Sequence, residues 1–249
     1  MKIAVLSDIH SNVYALEAVI DDAKRRGCDT LVNLGDILYG PIQPRATYEL
    51  LSEQAFLTIS GNQDRQIYQS TVSEIASNPT MQFILDDLGK EPLEWMKSLP
   101  FDLQVTPDLY LCHGTPSSDL IYLLEDVSSG AAMLRSDDEI VALLGEQQSK
   151  LICCGHTHTP RLVTLSSGIC VLNPGSVGLQ AYTDEEPFVH SMENYNDKAS
   201  YAIAQLLNDE WLIQHLRVPY DVSSAVKDCL TRGRNDWVHF LQTGRKITE

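Results

Sequence analysis

The chain has 249 residues, of which 43% are hydrophobic and 21% charged, and its formal net charge is −16 at pH 7. This length and composition are typical of a globular domain and exclude a mainly disordered chain. The negative charge disfavours long nucleic acids and anionic membranes as partners, because both carry charge of the same sign.

The first residues and the cysteines predict the compartment. Asp8 follows an apolar run that is too short for a signal peptide, and no later run approaches the length of a membrane span. The six cysteines lack paired CxxC spacing, so Cys112, Cys153 and Cys154 are expected to be buried as small hydrophobic residues. We therefore expect a cytoplasmic protein with no membrane partner.

The first part of the chain alternates between strands and helices. Residues 3–7 form a short apolar run typical of a buried strand, and Asn12 can cap the helix that follows. A second strand is predicted over residues 30–34, a helix over residues 43–54 and a third strand over residues 56–60. This alternation predicts an α/β fold.

The middle of the chain leaves this alternation. Residues 66–100 are predicted to form a helical insertion that packs over the sheet. Hairpins over residues 101–112 and 161–172, around Pro-Asp and Ser-Ser-Gly turns, predict a second and more antiparallel sheet. Between the hairpins, Ser136 and Glu139 form a capping box at the start of another helix.

The last part of the chain adds a strand over residues 151–154, a hairpin over residues 201–218 and two short helices. No linker or repeat divides the sequence, so we predict a single domain over residues 1–249 with the helical insertion at about residues 66–100. Specificity is expected to lie in that insertion and in the loop over residues 176–192, which carries no recognisable motif.

Five short polar segments each follow an apolar strand. They are Asp8-Ile9-His10, Gly35-Asp36, Gly61-Asn62-Gln63-Asp64, His113-Gly114 and Gly155-His156-Thr157-His158. The carboxyl ends of the strands in such a sheet converge on one edge, so the segments are predicted to meet at one site. Residues two apart in an extended segment point the same way, which predicts that Asp8 and His10, and likewise the two histidines of the last segment, face one cavity.

The side chains of these segments are carboxylates, an amide and imidazoles. Such a mixed oxygen and nitrogen set suits Mn, Fe, Zn or Ni better than Ca, which prefers oxygen alone. A carboxylate such as Asp36 can bridge two ions. We therefore predict that the cofactors are two divalent metal ions, and we expect Mn to support activity.

In this order, and extended by Asn173-Pro174-Gly175-Ser176, the segments resemble the calcineurin-like metallophosphoesterase family over residues 1 to about 220. The bacterial and archaeal small-phosphodiesterase branch is the part of the family that the chain resembles most. The resemblance implies a four-layer α/β/β/α sandwich with two facing mixed β-sheets flanked by helices. It also implies hydrolysis of a small phosphodiester, nucleotide or phosphoanhydride by a hydroxide that bridges two metals.

The resemblance also implies a role for individual residues. The implied metal ligands fall into three groups: Asp8, His10 and His158 for the first ion; Asn62, His113 and His156 for the second; and Asp36 between them. The candidate catalytic residues are Asp36, Asn62, Asp64 and His113. Of these, Asp64 is expected to orient a neighbouring group rather than to bind metal.

The chain departs from the family pattern at Gln63, where many relatives have a histidine that is thought to protonate the leaving oxygen. Glutamine cannot act as a general acid. Loss of such a group costs about 10²- to 10⁴-fold in rate when the leaving group is poor, and much less when it leaves easily. We therefore expect a nucleotide, a phosphoanhydride or an aryl diester as substrate rather than an alkyl monoester.

Three other functions are compatible with these motifs. A protein phosphatase would use the same metal chemistry on phosphoserine, and a nuclease of this fold would need a basic groove that the composition does not indicate. A metal-binding interaction module that is weak or inactive as an enzyme is the third, but all seven ligands are present. The expected partner is a small phosphorylated substrate, and the oligomeric state does not follow from the sequence.

Several residues outside the motifs have a structural interpretation. His190, His215 and His239 lack any motif context and are interpreted as structural histidines with satisfied hydrogen bonds. Arg161 follows the last metal-binding motif and is interpreted as a surface or salt-bridged arginine. The stretch from Phe83 to Leu99 is interpreted as helix packing.

Overall fold

The computed structural model describes residues 1–247, so residues 248 and 249 of the predicted domain lie outside the described part. The helices are α1 (Val13–Arg25), α2 (Pro44–Ser52), α3 (Asn62–Gln69), α4 (Val72–Ser77), α5 (Pro79–Leu88), α6 (Lys90–Ser98), α7 (Asp137–Leu144), α8 (Val222–Thr231) and α9 (Asn235–Thr243). The strands are β1 (Lys2–Leu6), β2 (Thr30–Asn33), β3 (Phe56–Thr58), β4 (Leu103–Thr106), β5 (Leu109–Leu111), β6 (Glu125–Asp126), β7 (Met133–Leu134), β8 (Leu151–Cys153), β9 (Arg161–Thr164), β10 (Cys170–Asn173), β11 (Ala181–Asp184), β12 (His190–Glu193), β13 (Ala199–Leu207) and β14 (Glu210–Val218).

Two five-stranded sheets form the centre of the molecule, with strand orders β14-β13-β1-β2-β3 and β4-β5-β8-β10-β9. Each sheet contains two parallel and two antiparallel pairs. The expectation that the second sheet is more antiparallel is therefore wrong. The hairpins at its edges are antiparallel, but β5 and β8 run parallel because a long crossover that contains α7 returns the chain to the same end of the sheet.

The two-residue alternation of β1 shows how the layers stack. Ile3 and Val5 pack with the second sheet, whereas Ala4 and Leu6 pack on the opposite face in a cluster that includes residues of α1. On its outer face the second sheet packs against α7, where Ile140 is buried. The fold is therefore the four-layer α/β/β/α sandwich with two mixed sheets that the resemblance implied.

The helical stretch after β3 begins at Asn62, earlier than the predicted residue 66. Asp64 explains this start, because its side chain accepts a hydrogen bond from the backbone N–H of Gly61 at 3.0 Å and so caps the helix. Helices α3 to α6 bury Ile67, Ile84 and Met96 in the cluster on the α1 side of the first sheet, as helix packing predicts. The predicted burial of Cys112, Cys153 and Cys154 is also confirmed.

Two short hairpins, β6–β7 and β11–β12, were not predicted, because neither stretch has a clear apolar alternation. Helices α8 and α9 cover the second of these regions. Cys229 and Trp237 of these helices are buried in one cluster with Leu179 and Ala181. Among residues 1–247, no helix has the length and apolar character needed to cross a membrane.

Candidate metal centre

All five polar segments lie at the carboxyl ends of parallel strands. Strands β1, β2 and β3 are neighbours in the first sheet, and β5 and β8 are neighbours in the second. The loops after β1 and β2 are joined by backbone hydrogen bonds, from Asp8 N–H to the Gly35 carbonyl and from His10 N–H to the Asp36 carbonyl, both at 3.0 Å. The segments therefore meet at one edge, as the sequence predicted.

The backbone of these segments is left-handed rather than extended. Positive φ angles occur at Asp8 (55°), His10 (51°), Ser11 (56°), Asp36 (55°), His156 (71°) and His158 (57°). The expectation that extended alternation aims the paired side chains is therefore wrong. Left-handed backbone at non-glycine residues costs of order 1–3 kcal/mol each, and it persists where surrounding contacts hold it. Here the loop-to-loop hydrogen bonds supply those contacts.

The first cluster consists of Asp8, His10 and His158, which are all buried and offer ligand atoms within 4.8 Å of one another. The Nε2 atoms of His10 and His158 are 3.0 Å apart, and the second of these nitrogens is 3.4 Å from Asp8 Oδ1. The three residues come from the ends of two different sheets. Their arrangement matches the first ligand group that the resemblance implied.

The hydrogen bonds of the first cluster leave acceptor atoms directed at one point, and a cation fits there. The Nδ1 atoms of His10 and His158 donate hydrogen bonds to the carbonyls of Tyr39 (3.1 Å) and Leu179 (2.7 Å), because a carbonyl oxygen can only accept. Burial and the neighbouring imidazole lower the pKa of His10 to about 4. His10 is therefore neutral at pH 7, and because its Nδ1 is the donor, its Nε2 presents a lone pair to the His158 ring. Buried Asp8 Oδ1 likewise has no donor within residues 1–247.

The second cluster consists of Asp36, His113 and His156, with Asn62 beside it. His113 Nδ1 donates to the Leu34 carbonyl at 2.8 Å, and its Nε2 faces Asn62 Oδ1 at 3.0 Å and Asp36 Oδ2 at 3.5 Å. Burial opposes the imidazolium form of His113, but the charge of Asp36 outweighs it and raises the pKa of His113 to about 10. The charge of Asp36 thus holds a proton on His113, and it can hold a metal ion for the same electrostatic reason.

Contacts between the two clusters bring all seven implied ligands together. The backbone N–H of His156, which belongs to the second cluster, donates to Asp8 Oδ2 of the first at 3.2 Å. Burial and the charge of His113 lower the pKa of His156 to about 4, so this ring is neutral at pH 7. Oxygen and neutral nitrogen donors of this kind suit divalent transition metals.

Asp64 holds the loops of the second cluster in place. Its Oδ2 accepts from the backbone N–H groups of Asp36 (2.8 Å) and Gly61 (3.0 Å), and its Oδ1 accepts from Ile37 (2.8 Å). Burial and the charge of Asp36 raise the pKa of Asp64 to about 7. Its oxygens thus face backbone N–H groups, which supports the positioning role that the sequence predicted.

Gly61 allows the close approach that this arrangement needs. A Cβ atom at this position would lie 2.2 Å from Asp36 Oδ1 and 2.4 Å from the Asp36 backbone nitrogen. A side chain would therefore displace the Asp36 carboxylate of the second cluster. Only glycine permits this contact.

A cavity of about 170 Å³ is lined by members of both clusters, namely His10, His158, Asp36 and His156. Its walls include aromatic residues that sequence reasoning missed. Tyr122 packs at a tilt against His156 and Tyr182 packs edge-on against His158, each with ring centroids 4.6 Å apart, and Trp237 approaches His10 edge-on at 5.9 Å. Tyr122 and Tyr182 lie in stretches without a motif, and the sequence does not indicate where α9 docks.

A sequence model described as the calcineurin-like phosphoesterase superfamily domain matches residues 1–195 of the chain. The chain belongs to this superfamily. The match ends before β13, so the last two strands of the first sheet and helices α8 and α9 lie outside it. Trp237 and Arg234, which line the cavity of this phosphoesterase, also come from the part beyond the match.

Individual relatives support the same fold. An uncharacterized protein of Methanocaldococcus jannaschii is 28% identical over an alignment of 251 positions, gaps included, that covers 95% of each chain. A crystal structure of a metallophosphoesterase from Sphaerobacter thermophilus matches with a TM-score of 0.76 and 24% identity, over 98% of this chain and 100% of that one. A putative diadenosine tetraphosphatase matches with a TM-score of 0.53 and 14% identity, over 88% and 94% of the two chains.

Gln63 lines the cavity of this phosphoesterase beside Asn62. Its backbone N–H donates to Asp36 Oδ1 at 2.9 Å, which helps to hold that carboxylate. The side-chain oxygen of Gln63 is buried and has no hydrogen-bond donor within residues 1–247. The position for which the resemblance implied a histidine therefore holds an amide that has no acidic proton to give.

The residues interpreted as structural have the expected contacts. Each histidine outside the motifs is hydrogen-bonded within the protein: His190 to the Phe188 carbonyl (2.6 Å) and the Tyr122 hydroxyl (3.0 Å), His215 to the Asn173 carbonyl (2.8 Å) and His239 to the Lys246 carbonyl (3.1 Å). Arg161 forms a 2.7 Å ion pair with buried Glu125. These interpretations are confirmed.

Proposed function

We propose that this phosphoesterase uses two divalent metal ions to hydrolyse a small phosphodiester or nucleotide. The observation that supports the proposal most strongly is the convergence of buried ligand atoms in the first cluster. Two Nε2 atoms lie 3.0 Å apart while both Nδ1 hydrogens are committed to carbonyls. Buried acceptors that face one another are costly unless a cation lies among them.

The proposed ligands of the two ions are Asp8, His10 and His158 on one side, Asn62, His113 and His156 on the other, and Asp36 between them. When bound, two such ions would supply positive charge to the phosphoryl oxygens and would activate water for attack on phosphorus. The carbonyl acceptors at each Nδ1 fix the orientation of the imidazoles. Tyr122 and Tyr182 pack against two of these rings and limit the access of bulk water.

The absence of an acidic group at Gln63 defines the proposed substrate more narrowly. The leaving oxygen must depart without a proton from this position, which favours aryl esters, nucleotides and other good leaving groups. We expect Mn²⁺ to support this reaction. A higher rate on an alkyl monoester than on an activated aryl diester would contradict the proposal.

The decisive experiment measures metal content together with hydrolysis of bis(p-nitrophenyl) phosphate, with and without added Mn²⁺. Asp36→Asn is the test variant, and Asp138→Asn, on the exposed first turn of α7, is the matched control. We expect the wild type and the control to bind about two ions and to turn over. Asp36→Asn should lose at least one ion and most of the activity.

The contrary outcomes separate the alternatives. Faster turnover of phosphopeptides than of nucleotides or aryl diesters would identify a protein phosphatase. Metal binding without cleavage of any ester would identify an interaction module, with Gln63 as the cause of the lost activity. Failure to bind metal would refute the proposed site altogether.

A further inference from the structure

A groove with a volume of about 640 Å³ lies beside the metal cavity. The two cavities share four lining residues, namely Asn62, Tyr122, His156 and Asp184. Because Asn62 and His156 are proposed metal ligands, a phosphorus atom bound at the centre would lie next to the groove. A substituent on that phosphorus can enter the groove directly.

The walls of this groove are apolar and exposed. Leu120 is 60% exposed, and Ile121, in the same segment, is 41% exposed. The lining also includes Pro187 and Phe188, in the loop between β11 and β12, and Phe188 is 50% exposed. Side chains of this size are usually buried, and several of them around one depression mark a binding surface.

The charged residues of the groove limit what it can bind. Its lining includes three carboxylates, those of Asp126, Asp184 and Glu186, against one cation, Arg135. The Arg135 Nε–H is already engaged by the Tyr122 carbonyl at 3.1 Å. A second phosphate would be repelled by these carboxylates, whereas an uncharged ring would not.

We propose that this groove binds one uncharged aromatic substituent of the substrate, an aryl ring or a nucleobase, while the phosphate lies at the metal centre. The inference rests on the proposed function and makes its substrate class narrower. Apolar side chains from two segments of the chain provide the surface that a flat ring buries, and Phe188 offers a ring against which it can stack. A diester places its single phosphate at the metal centre and an uncharged ring in the groove, whereas a polyphosphate would place a second phosphate beside the carboxylates of the groove.

The test compares two non-hydrolysable probes, phenylphosphonate and methylphosphonate, which differ only in the substituent on phosphorus. Their affinities for the Mn²⁺-loaded protein are measured by titration calorimetry, so no turnover is needed. We expect the wild type to bind phenylphosphonate at least about tenfold more tightly, because burying a ring of this size stabilises the complex by more than 1.4 kcal/mol.

Variants of the groove then test whether it causes the preference for phenylphosphonate. Leu120→Ala and Phe188→Ala should bring the affinity ratio toward one while methylphosphonate binds as it does to the wild type. Leu212→Ala is the matched control, since Leu212 is 53% exposed on the edge strand β14 and does not line the groove. Circular dichroism spectra verify that each variant is folded.

Three results would overturn the inference, and they differ from a failure of the metal site. Equal binding of both probes by the wild type would show that the groove is not a substrate subsite. A preference that survives both groove variants would show that another surface holds the ring. A dimer that Phe188→Ala dissociates, with equal probe affinities, would identify the groove as a subunit contact. If neither probe binds the metal-loaded protein, the proposed function itself is wrong.

Discussion

At the residue scale, three of the proposed histidine ligands are oriented by the backbone. The Nδ1–H groups of His10, His113 and His158 each donate a hydrogen bond to a backbone carbonyl. These carbonyls belong to Leu34, Tyr39 and Leu179. The sequence can predict the ligands, because aspartate and histidine are recognisable at strand ends. It cannot predict these partners, because a carbonyl belongs to every residue type. The tautomers, and with them the evidence for a cation, are available only from the structure.

Asp64 provides the first prediction at this scale. In Asp64→Asn an NH₂ group replaces one of the oxygens that accept from Asp36, Gly61 and Ile37, so at least one buried N–H loses its acceptor. We expect the metal-free protein to lose about 1–3 kcal/mol of stability in urea unfolding. Affinity for Mn²⁺ should fall about 10- to 100-fold in calorimetric titration, although Asp64 is not a ligand. Asp138→Asn serves as the control, and wild-type affinity in Asp64→Asn would refute the positioning role.

His113 provides the second prediction, which concerns pH. The charge of Asp36 overcomes burial and raises the pKa of His113 to about 10, so the metal-free ring is protonated at pH 8. A metal ligand must be unprotonated, and metal binding at pH 8 should therefore release about one proton. Affinity should rise about tenfold per pH unit and level off near pH 10.

Calorimetry at pH 8 in two buffers with different ionisation enthalpies counts these protons. His10 and His156 should add nothing to the count, because burial places their pKa values at about 4 and both are already neutral. Binding that releases no proton would show that His113 is not displaced by the metal. Release of two or more would show that another ligand is protonated as well.

At the scale of secondary structure, the predictions succeeded where apolar periodicity marks an element. Strand β1 alternates between two buried faces, and α1 begins after Asn12, whose side chain accepts from Ala15 N–H at 3.1 Å. The predictions failed where contacts with distant parts of the chain determine the local structure. The left-handed turn around Asp8 is held by the neighbouring loop, and the hairpin β11–β12 is covered by distant helices. Local sequence does not encode such support.

Helix α9 provides a prediction at this scale, because it brings Arg234 to the cavity from outside the family match. Arg234 donates to Thr80 Oγ1 at 2.8 Å and pairs with Asp236 at 2.6 Å, which fixes its guanidinium at the wall. We expect Arg234→Ala to raise KM for an aryl diester about tenfold, the effect of losing one hydrogen bond to a charged group, with little change in kcat.

Arg232, which caps the end of α8, supplies the control for this prediction. Its guanidinium packs 3.9 Å from the ring centroid of Phe83 and does not line the cavity. Arg232→Ala should therefore leave KM unchanged even if it lowers the melting temperature. Equal KM values for the two variants would show that Arg234 stabilises α9 without contacting substrate.

At the scale of the whole molecule, the composition and the site have opposite electrostatic character. The formal charge of −16 surrounds a centre that would hold two divalent cations against Asp8 and Asp36. A small anion approaching the centre experiences the local positive field at short range. A long polyanion also lies along the acidic surface, where repulsion acts over the Debye length.

This contrast predicts how salt affects substrate choice. Raising the ionic strength from about 0.01 M to 0.15 M shortens the Debye length from about 30 Å to about 8 Å. We expect the cleavage rate per phosphodiester bond of long single-stranded DNA to rise over this range, and that of a dinucleotide to change much less. A nuclease with a basic groove behaves in the opposite way, because added salt weakens its contacts with the phosphate backbone. Steady-state rates on both substrates, with Mn²⁺ held constant, therefore test whether the substrate is small, and a rate on long DNA that falls with salt would contradict it.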